Sequence, residues 1–274
     1  MGTFARLISI AGLVVGLVSC QAAPEIPITQ GGSTSPDSTA APAAAAGGPV
    51  PPVALPLYGD EGTPEPVNLE VKVINETSES PAFTIKARTP YLTGSGSPYL
   101  AAFNQVAEAY TYAQISSFLQ SLAESKDAAG LLQIDFLPSL IHQNTVSVLF
   151  KTTTYFQGTA HVNNSSHALN YDLQTGQPLA LADLFQPGAP YLQAISDVSV
   201  EDLRARDALK WEEGALPLEE NYREWNITPQ GLLITFDEYR VDSYAAGAQS
   251  VLVPYDRLQA IARPDGPLSR FIQP

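Results

Sequence analysis

The stretch TVSVLFKTTTYF, Thr145 to Phe156, places Val146, Val148 and Phe150 on one face of an extended chain. Side chains alternate across a strand, and β-branched and aromatic residues pack well on a pleated surface, so the segment reads as a strand with one face in a core. Leu131 to Phe136, just before it, reads the same way. Farther toward the N-terminus the period changes from two to helical. Phe103, Val106, Ala107, Tyr110, Ala113, Ile115, Phe118, Leu119 and Leu122 recur at helical spacing, Ser97-Pro98 offers a cap with proline in the first turn, and Gly130 is a stop. Ahead of that helix, Val67, Leu69, Val71 and Val73 alternate, as do Phe83, Ile85 and Ala87, and both runs read as half-buried strands.

Toward the C-terminus the strands return. Asn163 to Ser166 reads as a turn, Leu169, Tyr171 and Leu173 as a strand, and Gln174 to Gln177 as a second turn around Gly176. A second helix is expected from near Pro190 to Arg206, with Tyr191, Ile195, Val198 and Leu203 inward. Trp225 to Thr228, Leu232 to Phe236 and Ser250 to Val253 read as closing strands, and Arg257 to Ala262 as a short terminal helix. Strands dominate and the two helices lie apart in sequence. That pattern predicts an α+β fold with a largely antiparallel sheet packed by two main helices.

Upstream of Val67 the composition shifts. Ten prolines between Gln21 and Pro66 interrupt Ala, Gly, Ser and Thr, so residues 20–66 read as a lipidated cysteine and a disordered Pro/Ala-rich tether. Residues 7–18, LISIAGLVVGLV, form an uncharged run too short for a membrane span, which needs roughly 20 apolar residues. With Leu17-Val18-Ser19-Cys20 it resembles the signal and lipobox of bacterial lipoproteins over residues 1–19, the alternative being an ordinary secreted protein with a buried cysteine. Diacylglyceryl transfer to the Cys20 thiol and cleavage after Ser19 would leave an exported, lipid-anchored chain, since two or three acyl chains hold stably where one does not. The residue after Cys20 is Gln21, not Asp, so an outer membrane, where the cell has one, is the expected address. The anchor makes the membrane the first expected partner.

Charge narrows the partners further. The chain has 14 Lys+Arg against 28 Asp+Glu, a net charge of −14, and no basic run, which excludes nucleic acid, whose phosphates need clustered cations. One cysteine excludes an intrachain disulfide and a four-cysteine zinc site. The three histidines, His142, His161 and His167, form no metal-ligand spacing. His161 and His167 flank the turn at Asn163 to Ser166, where they could face each other, but a zinc site needs three or four ligands. Glu212/Glu213, Glu219/Glu220 and Asp237/Glu238 are adjacent pairs, whereas glycosidase carboxylates stand about 5 to 9.5 Å apart across a cleft. No catalytic motif, metal site or cofactor is expected. Tyr239 and Tyr244 lie in an irregular stretch between two closing strands, and two readings stay open for them: partner contacts, or corner tyrosines satisfied internally.

Several motifs occur in order across the second half: Phe156-Gln157-Gly158-Thr159-Ala160-His161, Asn170-Tyr171-Asp172-Leu173-Gln174-Thr175-Gly176, Leu181-Ala182-Asp183-Leu184-Phe185, Ile227 to Leu232, Phe236 to Gly247 and Val253-Pro254-Tyr255. Together they resemble the extracellular domain of the RsiV-like, lysozyme-sensing anti-sigma factors. A similar domain precedes the catalytic domain of PdaC-type peptidoglycan deacetylases. The first half, with a helix carrying Asn104, is similar to the partner domain that precedes it in such proteins. The expected organisation is therefore residues 67–157 as an N-terminal α+β half and 158–274 as an RsiV-like C-terminal half. Only six residues precede the apolar run and the sequence closes at Pro274, so neither a sigma-binding segment nor a deacetylase domain is expected. The resemblance implies a non-catalytic envelope lipoprotein that binds a macromolecule, a lysozyme-type muramidase or peptidoglycan, with Tyr239, Tyr244 and His161 as candidate contacts. A structural or assembly subunit of an envelope complex is the alternative, and an unrecognised hydrolase the third.

Overall fold

The computed structural model describes residues 67–125, 129–142 and 144–272. The signal sequence, Cys20 and the tether lie outside the described residues. Among the described residues, nine strands form two sheets. The larger takes β1 (Asn68–Glu79), β2 (Ala82–Thr93), β3 (Gly130–Ile141), β4 (Thr145–Phe156), β5 (Asn163–Asp172) and β6 (Gln177–Pro178) in that spatial order. Only β2 and β3 run parallel, because the 25-residue helix α1 (Leu100–Glu124) carries the chain back between them. The smaller sheet is β7 (Trp225–Ile227), β8 (Gly231–Phe236) and β9 (Gln249–Pro254), all antiparallel, with helix α2 (Tyr191–Ala205) in its core. The sequence expectation of a largely antiparallel α+β architecture with two main helices holds.

Two apolar clusters carry the fold. In the first, α1 lays Phe103, Ala107, Ile115 and Phe118 on Ile85, Ile134, Val148, Phe150 and Tyr171 of the large sheet. In the second, Ile195, Val198 and Leu203 of α2 pack with Ile227, Leu232, Ile234, Phe236 and Val253. Each fully buried side chain of this size contributes about 1.5–3 kcal/mol. The large sheet itself continues from β4 into β5, with ten residue pairs running from Thr145↔Asp172 to Thr154↔Asn163.

Several local expectations are corrected. Asn163 to Ser166 is the start of β5, not a turn, because the reversal is made at residues 157–162 instead. Ser97 does not cap α1. Its hydroxyl donates to Leu173 O at 2.6 Å and accepts from Tyr99 N at 3.0 Å, which ties the helix entrance to the end of the β5 strand, and the helix begins at Leu100. The helix also buries Asn104 and Thr111, which apolar spacing passes over. Asn104 closes a two-way bridge on the Leu92 backbone, accepting from N at 2.7 Å and donating to O at 2.9 Å, and Thr111 bonds Thr89 of β2 at 2.8 Å. Residues 257–262 do not form the expected terminal helix. A 3₁₀ turn at Tyr255–Arg257 leads to a single bridge between Phe185 and Ala262. Finally, Val71 and Val73 stand on the solvent side of β1 and are 40% and 58% exposed, so their alternation does not face a core.

The two sheets meet at Ser147, a fully buried β4 residue on the face opposite α1. Its hydroxyl donates to Asn170 Oδ1 at 2.6 Å and accepts from Asn226 Nδ2 at 2.9 Å and Ile227 N at 3.0 Å. Asn170 Nδ2 donates on to Trp225 O at 2.7 Å. Ser147→Ala would strand three buried polar groups, each costing about 1–3 kcal/mol when unpaired. The expected loss is about 3 kcal/mol, read as a lower denaturation midpoint in guanidinium with an unchanged slope.

Candidate functional site

The connection from β8 to β9, residues 237–248, is irregular because three separate sets of contacts pin it. Asp237 accepts from Ser166 N at 2.9 Å and Ser166 Oγ at 2.5 Å, and Glu238 accepts from Asn164 Nδ2 at 2.9 Å, so both acidic side chains are stitched to β5. Ser166 Oγ in turn accepts from Lys151 Nζ at 2.9 Å. Val241 is fully buried, and its carbonyl accepts from Lys210 N at 2.8 Å and Trp211 N at 3.1 Å. That draws residues 210–215 against the connection. Gly214 lets them approach, since a Cβ there would sit 1.8 Å from Arg240 O. Between these anchors the Tyr239 N–H donates to Asp242 O at 3.0 Å, and the backbone of Tyr239 turns through φ 65°. A non-glycine residue in that region costs about 1–2 kcal/mol and is held by its surroundings.

The result is a row of four aromatic rings. Trp211 lies 6.3 Å from Tyr239, Tyr239 5.8 Å from Tyr244, and Tyr244 4.1 Å from His161, measured between ring centroids. The structure thus brings Tyr239, Tyr244 and His161 together, as a cluster of rings from two separate connections. Tyr239 is 58% exposed, Trp211 39%, and His161 is exposed. Both open readings of the tyrosines have a share here. Tyr244 donates its hydroxyl internally to Val162 O at 3.1 Å, while Tyr239 presents its ring to solvent. Val162 O also lies 2.7 Å from His161 Nδ1, and since a carbonyl only accepts, that contact puts the imidazole proton on Nδ1. The Tyr244 hydroxyl is held above the usual tyrosine range by desolvation first, then by the charge of Glu238.

Beside His161 runs a groove of about 400 Å³ lined by neutral polar side chains, among them Gln114, Ser117, Thr154, Asn163 and Ser165, with Phe118 and Phe156 stacked 5.5 Å apart in its wall. Beneath the row, burial pushes Glu224 upward, against the opposing Ala168 N–H bond, and pulls Lys151 downward, against the attraction of Asp237, Glu238 and Glu224. His167 does not meet His161. It stacks on Tyr110 at 4.5 Å, and burial lowers its pKa. His142 is buried in the β3–β4 turn, where Nδ1 accepts from Asn144 N at 3.2 Å. Among the described residues, no group of three or more His, Cys, Asp or Glu is placed to hold a metal ion.

The row lies largely within a segment that a family model recognises. Residues 182–256 match DUF3298, a protein family of unknown function. The match contains Trp211, Tyr239 and Tyr244, and His161 lies outside it. Over 139 residues, 48% of this chain, the sequence is 27% identical to the peptidoglycan-N-acetylmuramic acid deacetylase PdaC of Bacillus subtilis (strain 168), and the alignment spans 29% of that protein. A DUF3298 family member from Bacteroides fragilis NCTC 9343 superposes with a TM-score of 0.56 at 18% identity, covering 76% of this chain and 97% of the other. A DUF3298 family protein from Pseudomonas aeruginosa PAO1 gives 0.53 at 15% identity, covering 74% and 96%. At such identities these structures share the fold.

Trp211 was not among the residues read from sequence. It follows a helix end in a stretch without periodicity, next to the acidic pair Glu212 and Glu213. The signal for it is three-dimensional: the shared Val241 carbonyl.

The His167 imidazole, stacked on Tyr110 of α1, sets a pH dependence. With its folded pKa below the unfolded value of about 6.5, His167 contributes full stability above that value and loses it as pH falls toward the folded pKa. His167→Phe, which keeps the stack on Tyr110, is expected to flatten the fall in unfolding free energy between about pH 7 and 5, measured by urea titration at each pH.

Proposed function

We propose that this chain is a non-catalytic recognition module of the bacterial cell envelope, exported and lipid-anchored at Cys20, that binds a macromolecular partner through the Trp211–Tyr239–Tyr244–His161 row. The observation that carries the reading is the strained, exposed Tyr239 held among three other rings. Aromatic rings offer large contact area at small entropic cost and dominate interface hot spots. The partner that fits best is a basic protein of the lysozyme type. The row stands beside Glu238 and Asp242, and the chain from Cys20 onward carries 13 basic against 28 acidic residues, so a cationic partner would be steered toward it. The motif resemblance to lysozyme-sensing domains points the same way.

A second reading has its own observation. The neutral hydroxyl and amide groups of the groove beside His161 suit a glycan, and the deacetylase relative is named for a peptidoglycan substrate. Peptidoglycan is therefore the competing ligand. The structural-subunit alternative would use the same exposed rings against a fixed neighbour.

Calorimetric titration of a soluble form, residues 21–274, with a c-type lysozyme separates these readings. Saturable binding at physiological salt, absent with cytochrome c as a basic control, is the expected result. Trp211→Ala and Tyr239→Gly are each expected to weaken it by about 30-fold or more, the effect of a hot-spot side chain worth roughly 2 kcal/mol. Tyr239→Gly suits the test because glycine accepts the positive φ, so thermal unfolding should barely move. Binding that vanishes with salt, or that both variants retain, would remove the row from the proposal. Binding of soluble glycan fragments in place of the protein would move it to the groove.

A further inference from the structure

The first strand presents an edge that the rest of the fold leaves open. β1 pairs with β2 through twelve consecutive residues without a bulge, and among the described residues no strand pairs with its other edge. Natural edge strands are usually short, bulged, broken by proline or covered, because an open ladder of N–H and C=O groups is a template for another strand. This one is twelve residues long and contains no proline. Its two sides differ. Lys72 faces α1, where it pairs with Glu108 and lies 3.8 Å above the Tyr91 ring. Val71 and Val73 point the other way and are both exposed.

We infer that β1 is a homodimer interface in which two copies pair antiparallel about a two-fold axis at Val71, joining the two large sheets edge to edge. The register follows from the sequence of the strand. A two-fold axis perpendicular to the sheet sets one residue opposite its own copy, and residues spaced equally on either side face one another on the same side of the sheet. An axis at Glu70 or at Lys72 opposes like charges. One at Val73 sets Glu70 against Glu76 of the second copy, and one at Ile74 sets Leu69 against Glu79 and Val73 against Asn75. With the axis at Val71, Glu70 of each copy meets Lys72 of the other, twice. On the opposite face Leu69 meets Val73, Val71 meets Val71, and Val73 meets Leu69. One register therefore satisfies both faces: two opposite-charge pairs on one side and a continuous apolar stripe on the other.

Cysteine cross-linking in the full chain, exported in a bacterial host, tests this. Strand pairing sets the two Val71 Cα atoms about 4.5–5.5 Å apart, within the range of about 4.4–6.8 Å that a disulfide spans. Val71→Cys should give a disulfide-linked dimer on a non-reducing gel, above the background of the chain that carries Cys20 alone. Thr77→Cys lies on the same strand but away from the axis and should stay at background. Adding Lys72→Glu to Val71→Cys should reduce the dimer at least several-fold, and adding Glu70→Lys as well should restore it. The double exchange re-forms the charge pairs between copies while leaving Glu108 facing the wrong charge within each copy, so restoration separates the interface from simple misfolding. Equal dimer from Val71→Cys and Thr77→Cys, or no restoration by the double exchange, overturns the inference. A foreign strand pairing with this edge in place of a second copy would give no self-linked dimer and overturns it equally.

Discussion

One buried hydroxyl holds the two layers in register. Ser147 sits where a six-stranded sheet, filled on its other face by α1, meets the backbone of β7, and its three hydrogen bonds reach Asn170, Asn226 and Ile227. An apolar contact in that position would tolerate sliding by a residue or more, because dispersion is non-directional. A network with one donor and two acceptor sites matched to named partners has one good arrangement, and a misplacement leaves buried groups unpaired. The same face of β5 continues the contact at Ala168, whose N–H reaches Glu224, and at Ser166 and Asn164, which reach Asp237 and Glu238. These ties are directed polar bonds, and Leu140 of β3 adds apolar packing by joining the cluster of the smaller sheet.

The aromatic row is a product of that alignment. Its rings come from the β4–β5 reversal, the segment after α2 and the β8–β9 connection, and none of these would hold an exposed ring in place alone. Asp237 and Glu238 anchor one side of the connection to the large sheet, while the Val241 carbonyl anchors the other to Trp211. Between them Tyr239 keeps a backbone conformation that an isolated loop would relax. Stabilisation at the seam offsets local strain at the row.

The architecture was legible because period and punctuation agree over long spans. Both helices and nearly all strands fall where apolar spacing places them, and Tyr239, Tyr244 and His161 could be singled out because they sit in motifs with no regular period. What sequence could not give has a common cause. Ser147, Asn104 and Thr111 are polar residues on buried faces, and apolar spacing carries no term for a polar group whose partner lies dozens of residues away. Trp211 is invisible for the same reason. The edge of β1 misled in the opposite direction: Val67, Leu69, Val71 and Val73 alternate as a half-buried strand should, yet beyond Leu69 that face meets solvent. Alternation reports that one face is apolar. It does not say whether the cover comes from the same chain.

That distinction bears on how the row would work. The strand order puts β1 four strands from β5, about 19 Å across the sheet at the usual spacing. Pairing at β1 therefore leaves both rows uncovered, roughly 40 Å apart, at opposite flanks of a twelve-stranded sheet. Two weak contacts held at a fixed separation act as one strong contact only toward a target that presents two sites at a matching distance. A polymer or a surface-bound array can do so, and a single small globular partner cannot. The oligomeric state thus discriminates between the two classes of partner: a dimer favours an extended target such as a glycan strand or an array of bound proteins, while a monomer leaves the full affinity to one row and its four rings.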